Sequence, residues 1–159
     1  DMIAEELGFS RERRRWLGRG ALLHDIGKLA ISNSILDKPG KLTAEEFDAI
    51  KSHPVHSENI LASISVFADL AAVAGGHHER LDGRGYPRGL KGEEISLETR
   101  IVTTADIFDA LTAERPYRAA MPVSKAFSIM DGDIGTAIDP VCLDALKRGL
   151  AAVEQAAAA

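Results

Sequence analysis

The sequence predicts an all-α protein folded as a compact helical bundle. Only 5% of its 159 residues are aromatic, while Ala and Leu are plentiful, and this balance favours helix packing over a β-sandwich. Apolar residues recur at helical spacing, and residues that start or stop helices separate the periodic segments. The length suits one domain, which we expect over residues 1–155, followed by a short tail over 156–159.

Helix signals begin at the start of the chain. The first short helix is predicted to end at Gly8, since glycine readily adopts the left-handed backbone that follows a helix. Ser10 can cap the second helix. The residues predicted on the inner side of that helix are Trp16, Leu17, Ala21 and Leu22. After Lys28 the periodicity breaks, and a loop is expected through residues 37–40.

A capping box begins the third helix, because Thr43 is followed three residues later by Glu46. Phe47 and Ile50 are expected to face inward from this helix. Pro54 suits the first turn of a fourth helix, where its missing N–H is no loss. The sequence therefore predicts two helices in close succession.

The rest of the chain contains three more predicted helices and one irregular segment. A helix is expected over about residues 67–78, followed by residues 82–92, where four glycines and a proline exclude a regular element. Ser96 can cap a long helix. The last helix is expected to begin at Asp139, with Pro140 in its first turn.

Composition excludes several classes of function. The formal net charge of −5 argues against general nucleic-acid binding, which requires a cationic surface. The single cysteine, Cys142, allows neither an internal disulfide nor a cysteine-based zinc site. No apolar run reaches the roughly 20 residues of a membrane span, and no signal peptide is recognisable. We therefore expect a cytoplasmic protein without a membrane partner.

Histidines and aspartates form the most informative set of residues. Four of the five histidines belong to it, and two aspartates interrupt apolar helical runs, where an unpaired carboxylate costs several kcal/mol. The candidate metal ligands are His24, Asp25, His53, His77, His78 and Asp106. Taken singly, each residue could also have a purely structural role, as a hydrogen-bonded core histidine or as a solvated aspartate.

Taken together, these residues suit a pair of metal ions. Adjacent residues on a helix point about 100° apart, so His24 and Asp25 cannot easily chelate one ion, whereas a carboxylate that bridges two ions resolves this geometry. Imidazole and carboxylate ligands without thiolate favour iron, manganese or nickel over zinc. Two such ions can activate water and bind a phosphate oxygen.

Four segments carry a resemblance to a known family. Residues 24–28, His-Asp-Ile-Gly-Lys, resemble the signature of the HD phosphohydrolase superfamily. Residues 77–87 are similar, almost position for position, to the extended HD-GYP motif, and residues 106–112 and 115–118 resemble the next block of that family. The resemblance extends from residue 2 to about residue 150. It implies an HD-type helical bundle that hydrolyses cyclic di-GMP to a linear dinucleotide, with a further cut to GMP left open.

The resemblance also implies a role for each candidate ligand. Asp25 resembles the carboxylate that bridges the two ions and thereby takes part in catalysis. The remaining implied ligands of one ion are His53, His77 and His78. Those of the neighbouring ion are His24 and Asp106.

Four further residues acquire roles by resemblance. Lys28 resembles the catalytic lysine that contacts the scissile phosphate, and it lies one helical turn from His24. Arg115 and Arg118 resemble the pair that binds phosphate. Tyr86 resembles a tyrosine that stacks on guanine, although it also suits a loop residue packed for stability.

Two departures from the family pattern leave alternatives open. The family has an additional metal-binding histidine on an earlier helix, which would precede Asp1, so we expect an N-terminally truncated domain. Where the family usually has glycine, this chain has Ser57. A missing ligand favours a second hypothesis: a cyclic di-GMP sensor, or a module that docks a diguanylate cyclase through the loop from Gly83 to Gly89. A third hypothesis is a general nucleotide phosphohydrolase.

Overall fold

The computed structural model describes residues 1–114 and 119–158, and the regular structure of this part is helical apart from two isolated β-bridges. This confirms the all-α prediction. The α-helices of the described part are α1 (Met2–Glu6), α2 (Arg11–Leu23), α3 (Asn33–Leu36), α4 (Ala44–Lys51), α5 (His53–Ala62), α6 (Ala71–Gly76), α7 (Leu97–Thr112), α8 (Val123–Asp131) and α9 (Pro140–Ala157). Its 3₁₀ helices are Ile26–Ala30, Ala68–Leu70 and Gly92–Glu94.

The predicted helix ends are present. Gly8 has a φ of 75° after α1, and the Ser10 hydroxyl accepts a hydrogen bond from the backbone of α2. Thr43 and Glu46 form the reciprocal capping box of α4. The Asp139 carboxylate accepts two backbone N–H groups at the start of α9. Local sequence therefore determines where these helices begin and end.

Other expectations were wrong in detail. Residues 37–40 are not helical, as expected, but the 3₁₀ helix Ile26–Ala30 and α3 precede them where the helical periodicity breaks, and α8 was not predicted. Leu22 is 85% exposed and Phe47 is 49% exposed, although both were expected to face inward. The ammonium of Lys51 lies 5.3 Å from the centre of the Phe47 ring. The ring therefore packs against a cation rather than against the core.

The core consists of two clusters. The larger joins α1, α2, α7, α8 and α9, and its buried residues include Ile3, Leu17, Ile101, Val102, Met130, Ile138, Leu143 and Leu146. The smaller joins α5, α6 and the 3₁₀ helix Ala68–Leu70 through Leu61, Leu70, Ala71 and Ala74. Helix α5 also packs against the 3₁₀ helix Ile26–Ala30. Within residues 1–114 and 119–158, no helix is long and apolar enough to cross a bilayer.

Candidate metal centre

The six predicted ligands come from separate parts of the chain and meet between α2, α5, α6 and α7. His24 immediately follows α2, and Asp25 begins the turn into the 3₁₀ helix Ile26–Ala30. His53 is the first residue of α5, and His77 immediately follows α6. His78 comes next, and Asp106 lies in the middle of α7. Six residues that span positions 24 to 106 of the sequence thus form one cluster.

Backbone carbonyls orient three of the histidine rings. The Nδ1 atoms of His24, His53 and His77 lie 2.6–2.7 Å from the carbonyl oxygens three residues earlier, those of Ala21, Ile50 and Ala74. A carbonyl oxygen only accepts hydrogen bonds, so each Nδ1 donates. In a neutral ring the Nε2 atom then carries a free lone pair. All three rings therefore present a ligand atom to the cluster.

The Asp25 carboxylate lies among these nitrogen atoms. Its Oδ1 is 3.1 Å from Nε2 of His53 and 3.7 Å from Nε2 of His77. Its Oδ2 is 3.5 Å from Nε2 of His24 and 2.5 Å from Nζ of Lys28. The two oxygens thus face different histidines, which is the geometry that a bridging carboxylate requires.

These atoms fit a cation. Nε2 of His53 and Nε2 of His77 are 3.2 Å apart, and two lone pairs at this distance repel unless a positive charge lies close to both. Among the described residues, the buried side-chain atoms without a hydrogen bond are Nε2 of His24 and Oδ1 of Asp25. Both belong to this cluster, and buried polar atoms normally have partners.

Two overlapping groups have the spacing of metal ligands. The ligand atoms of His53, His77 and His78 all lie within 4.8 Å of one another, and so do those of His24, Asp25 and His77. The first group coincides with the ligands expected for one ion. The second places His77 beside His24 and Asp25 as well, so His77 can reach either position.

His77 and His78 are in the neutral form that binds a metal ion. Burial lowers the pKa of His77 to about 3, and the charge of His78 adds to this effect. Burial and the charge of His53 lower the pKa of His78 to about 4. Both rings are therefore neutral at pH 7, and a neutral imidazole is the form that binds a metal.

The two carboxylates are ionised. Burial raises the pKa of Asp25, but contacts with His53 and Lys28 outweigh burial and hold the pKa below its ordinary value. Burial likewise raises the pKa of Asp106, and the neighbouring His24 outweighs it. Nε2 of His24 lies 3.6 Å from Oδ1 of Asp106. Although burial lowers the pKa of His24, the nearby Asp106 carboxylate and the hydrogen bond to the Ala21 carbonyl raise it overall.

Two predicted substrate-contacting residues lie at the edge of this cluster. The Lys28 side chain is 42% exposed, so its ammonium faces both Asp25 and the solvent. The ring centres of Tyr86 and His78 are 4.9 Å apart, and burial raises the pKa of Tyr86 to about 12. Tyr86 and His78 line a cavity of about 180 Å³, together with Asp106. The predicted phosphate-binding pair, Arg115 and Arg118, lies outside the described residues.

Sequence reasoning missed the residue that secures the Tyr86 loop. The carboxylate of Glu79 is buried and accepts hydrogen bonds from the backbone N–H groups of Arg88 and Leu90, at 2.7 and 2.9 Å. The N–H of Tyr86 donates to the carbonyl of His78. The sequence signal was the position of Glu79 directly after the histidine pair, inside the motif of residues 77–87.

Thr103 was also missed. Its buried hydroxyl on α7 donates to the carbonyl of His77 at 2.8 Å. The two residues are 26 positions apart, so no local pattern relates them. The hydroxyl holds the backbone of a candidate ligand against the helix that carries Asp106.

Comparison with known proteins identifies a family and several similar proteins. A family model described as HD domain matches residues 1–142. The 3'3'-cGAMP-specific phosphodiesterase 3 of Vibrio cholerae is 61% identical over 94% of this chain and 33% of its own length. The cyclic di-GMP phosphodiesterase response regulator RpfG of Xanthomonas campestris is 47% identical over 97% of this chain and 41% of its own length.

A solved structure is also similar. The crystal structure of a cyclic GMP-AMP-specific phosphodiesterase of V. cholerae, V-cGAP3, aligns with a TM-score of 0.55 and 54% sequence identity, over 94% of this chain and 33% of that chain. The chain thus spans about a third to two fifths of the length of these relatives. The matched family model, the shared motifs and the common fold lead to one conclusion: the chain belongs to the HD domain family and, within it, to the HD-GYP type.

Proposed function

We propose that this chain is a metal-dependent phosphodiesterase domain that hydrolyses a cyclic dinucleotide. The observation that carries the proposal is the set of histidine Nε2 atoms that surround the Asp25 carboxylate, 3.1–3.7 Å from its oxygens. Relatives at 61% and 47% identity are named as cyclic dinucleotide phosphodiesterases. Because the chain spans less than half of each, the proposal concerns this domain alone.

The resemblance to the HD-GYP type implies the proposed ligand sets, and the grouping of His53, His77 and His78 supports one of them. His53, His77 and His78 would hold one divalent ion, His24 and Asp106 would hold its neighbour, and Asp25 would bridge the two. The absence of a thiolate favours iron, manganese or nickel over zinc. When bound, such ions polarise phosphoryl oxygens and lower the pKa of water toward about 7.

The chain's own residues supply binding and charge stabilisation. Lys28 can donate a hydrogen bond to the scissile phosphate and neutralise negative charge that develops on the leaving oxygen. Tyr86 offers a ring for stacking against a base, which typically contributes about 1–3 kcal/mol per base. Arg115 and Arg118 remain the predicted phosphate-binding pair. The first product would be the linear dinucleotide.

Two substrates are candidates. The motifs led to cyclic di-GMP, which is also named for the relative at 47% identity. The relative at 61% identity is named for 3'3'-cGAMP, and this specific observation favours 3'3'-cGAMP as the second candidate. The two molecules differ in one base, so discrimination between them depends on residues that contact the base edges rather than on the metal ligands.

The test is hydrolysis by the purified chain loaded with Mn²⁺ or Fe²⁺. Cyclic di-GMP and 3'3'-cGAMP are incubated separately, products are separated by chromatography, and bound metal is measured by elemental analysis. We expect a linear dinucleotide from at least one substrate. Asp25→Ala should lose metal and turnover together, because the variant lacks the bridging carboxylate. Asp48→Ala, which removes an exposed carboxylate from α4, is the matched control and should retain both.

Other outcomes would contradict the proposal. Full turnover by Asp25→Ala would exclude the proposed centre. A chain that binds cyclic dinucleotide without cleaving it would favour the sensor hypothesis, and cleavage of simple nucleotides alone would favour a general phosphohydrolase. Docking of a diguanylate cyclase through the loop from Gly83 to Gly89, and a cytoplasmic location, stay predictions.

A further inference from the structure

Ser57 lies next to the metal cluster without belonging to it. It follows His53 by one turn of α5, so both side chains project from the same face of the helix. His53 extends toward Asp25, whereas the fully buried Ser57 contacts the turn after α2. The Ser57 hydroxyl donates to the carbonyl oxygen of His24 at 2.6 Å and accepts a hydrogen bond from the N–H of Gly27 at 2.8 Å.

These two hydrogen bonds pair backbone groups that have no partner within the adjoining helices. The carbonyls at the end of a helix have no partner within that helix, and the His24 carbonyl is in this position after α2. The N–H of Gly27 lies in the first turn of the next, 3₁₀ helix, where donors are equally unpaired. One hydroxyl thus fixes both ends of the segment that carries Asp25.

The turn also lies in direct contact with the backbone of α5. A Cβ atom on Gly27 would lie 2.0 Å from the carbonyl oxygen of His53 and 2.4 Å from the nitrogen of Ser57. Such an approach is open only to glycine. The turn can therefore lie this close to α5 because Gly27 has no side chain and that of Ser57 is short. Any shift of the turn moves Asp25 relative to His53.

We infer that Ser57 is a positioning residue for the metal centre. Its hydroxyl holds the turn of residues 24–27 against α5, at the separation where Oδ1 of Asp25 lies 3.1 Å from Nε2 of His53. The inference rests on the metal centre of the proposed function but on no particular substrate. Residues that orient metal ligands typically change metal affinity by about 10–100-fold when replaced.

The experiment compares Ser57→Ala with Ser63→Ala. Ser63 is exposed at the end of the same helix, and its hydroxyl donates to the local carbonyl of Ile60, so the control loses the same atom outside the centre. The metal-free chains are titrated with Co²⁺, which yields a dissociation constant and a visible absorption spectrum that reports ligand geometry. Circular dichroism of the metal-free chains measures the fold.

We expect Ser57→Ala to keep its helical signal, to bind Co²⁺ about 10–100-fold more weakly and to change the Co²⁺ spectrum. Ser63→Ala should match the wild type in all three measurements. Wild-type affinity and spectrum in Ser57→Ala would overturn the inference and leave the metal centre intact. A wild-type chain that does not bind Co²⁺ would overturn the metal centre itself.

A second measurement requires no variant to fold. Hydrogen–deuterium exchange of the Gly27 amide in the wild type is followed with and without Zn²⁺, which is diamagnetic and therefore compatible with NMR. If the Ser57 hydroxyl couples this turn to the metal centre, Zn²⁺ should slow exchange of the Gly27 amide at least tenfold, relative to amides of α9. Unchanged exchange with bound Zn²⁺ would contradict the inference.

Discussion

Each of the three oriented histidines follows the end of a helix by one or two residues. His24 follows α2, His53 follows α4 and His77 follows α6, and each ring donates a hydrogen bond to a carbonyl in the last turn of that helix. This local geometry is predictable from the sequence once the helix ends are known. Glu79 and Thr103 were not predictable in this way, because their partners are backbone groups of other segments.

A single residue, His77, should make the metal-free chain lose stability in acid. The pKa of this ring is about 3 in the folded chain and 6.5 without burial. The unfolded chain therefore takes up the proton first, so stability from neutral His77 is complete above pH 6.5 and is lost as the pH falls toward 3. From pH 6.5 to pH 5 the loss is about 2 kcal/mol, at about 1.4 kcal/mol per pH unit.

Urea unfolding at pH 7.5 and pH 5 measures this effect. His77→Gln cannot be protonated and is the control. The free energy of unfolding should fall more steeply with acid in the wild type than in the variant. An identical pH dependence of the two chains would contradict the assignment of a buried, neutral ring to His77.

At the scale of elements, the helix ends were predicted better than the helix faces. Ser10, Thr43 and Asp139 cap as expected because a cap depends on atoms within three residues. Phe47 and Leu22 were assigned to the wrong side because the inward face of a helix depends on which neighbour packs against it. Helix α8 was missed, although it packs against α7 and contributes Met130 to the core.

Two glycines provide a prediction about the turn that carries Asp25. Gly27→Ala would place a Cβ atom 2.0 Å from the His53 carbonyl oxygen, so the turn must move away from α5. We expect a loss of at least about 2 kcal/mol in the free energy of unfolding, together with weaker metal binding. Denaturant unfolding and Co²⁺ titration measure the two effects.

Gly18→Ala is the matched control. A Cβ atom on Gly18 would have no neighbour within 4 Å, and the residue lies inside α2, where alanine is favoured over glycine by about 0.5–1 kcal/mol. This variant should be as stable as the wild type or more stable, with unchanged metal affinity. Equal behaviour of Gly27→Ala and Gly18→Ala would refute the close contact between the turn and α5.

At the scale of the whole molecule, the class of fold was predictable but the convergence of the site was not. Helical periodicity and the capping residues led to the all-α bundle. The candidate ligands, however, extend from residue 24 to residue 106, and no local spacing relates positions so far apart. Their residue types suggested a shared pair of metal ions, but the resemblance to the HD-GYP type was needed to assign each residue to an ion. Burial of two separate apolar clusters determines how the helices approach one another.

Cys142 offers a test of the packing of the whole bundle. Its side chain is fully buried in the larger core cluster, and burial raises the pKa of the thiol to about 12. A thiol reagent at pH 8 should therefore label it only when the core opens. For a stability of several kcal/mol, we expect labelling at least about a hundredfold slower than in denaturing urea. Similar rates in both conditions would contradict the packing of α9 against α1 and α7.

Anomalous diffraction from crystals grown with Mn²⁺ is the most direct measurement of the metal centre. We expect strong anomalous peaks within about 2.0–2.3 Å of Asp25 carboxylate oxygens and of Nε2 of His53 and His77, distances typical of imidazole and carboxylate ligation. Crystals of Asp25→Ala should lack these peaks. Saturating Mn²⁺ that leaves the wild-type cluster without a peak, or that binds only elsewhere on the chain, would contradict the proposed metal centre.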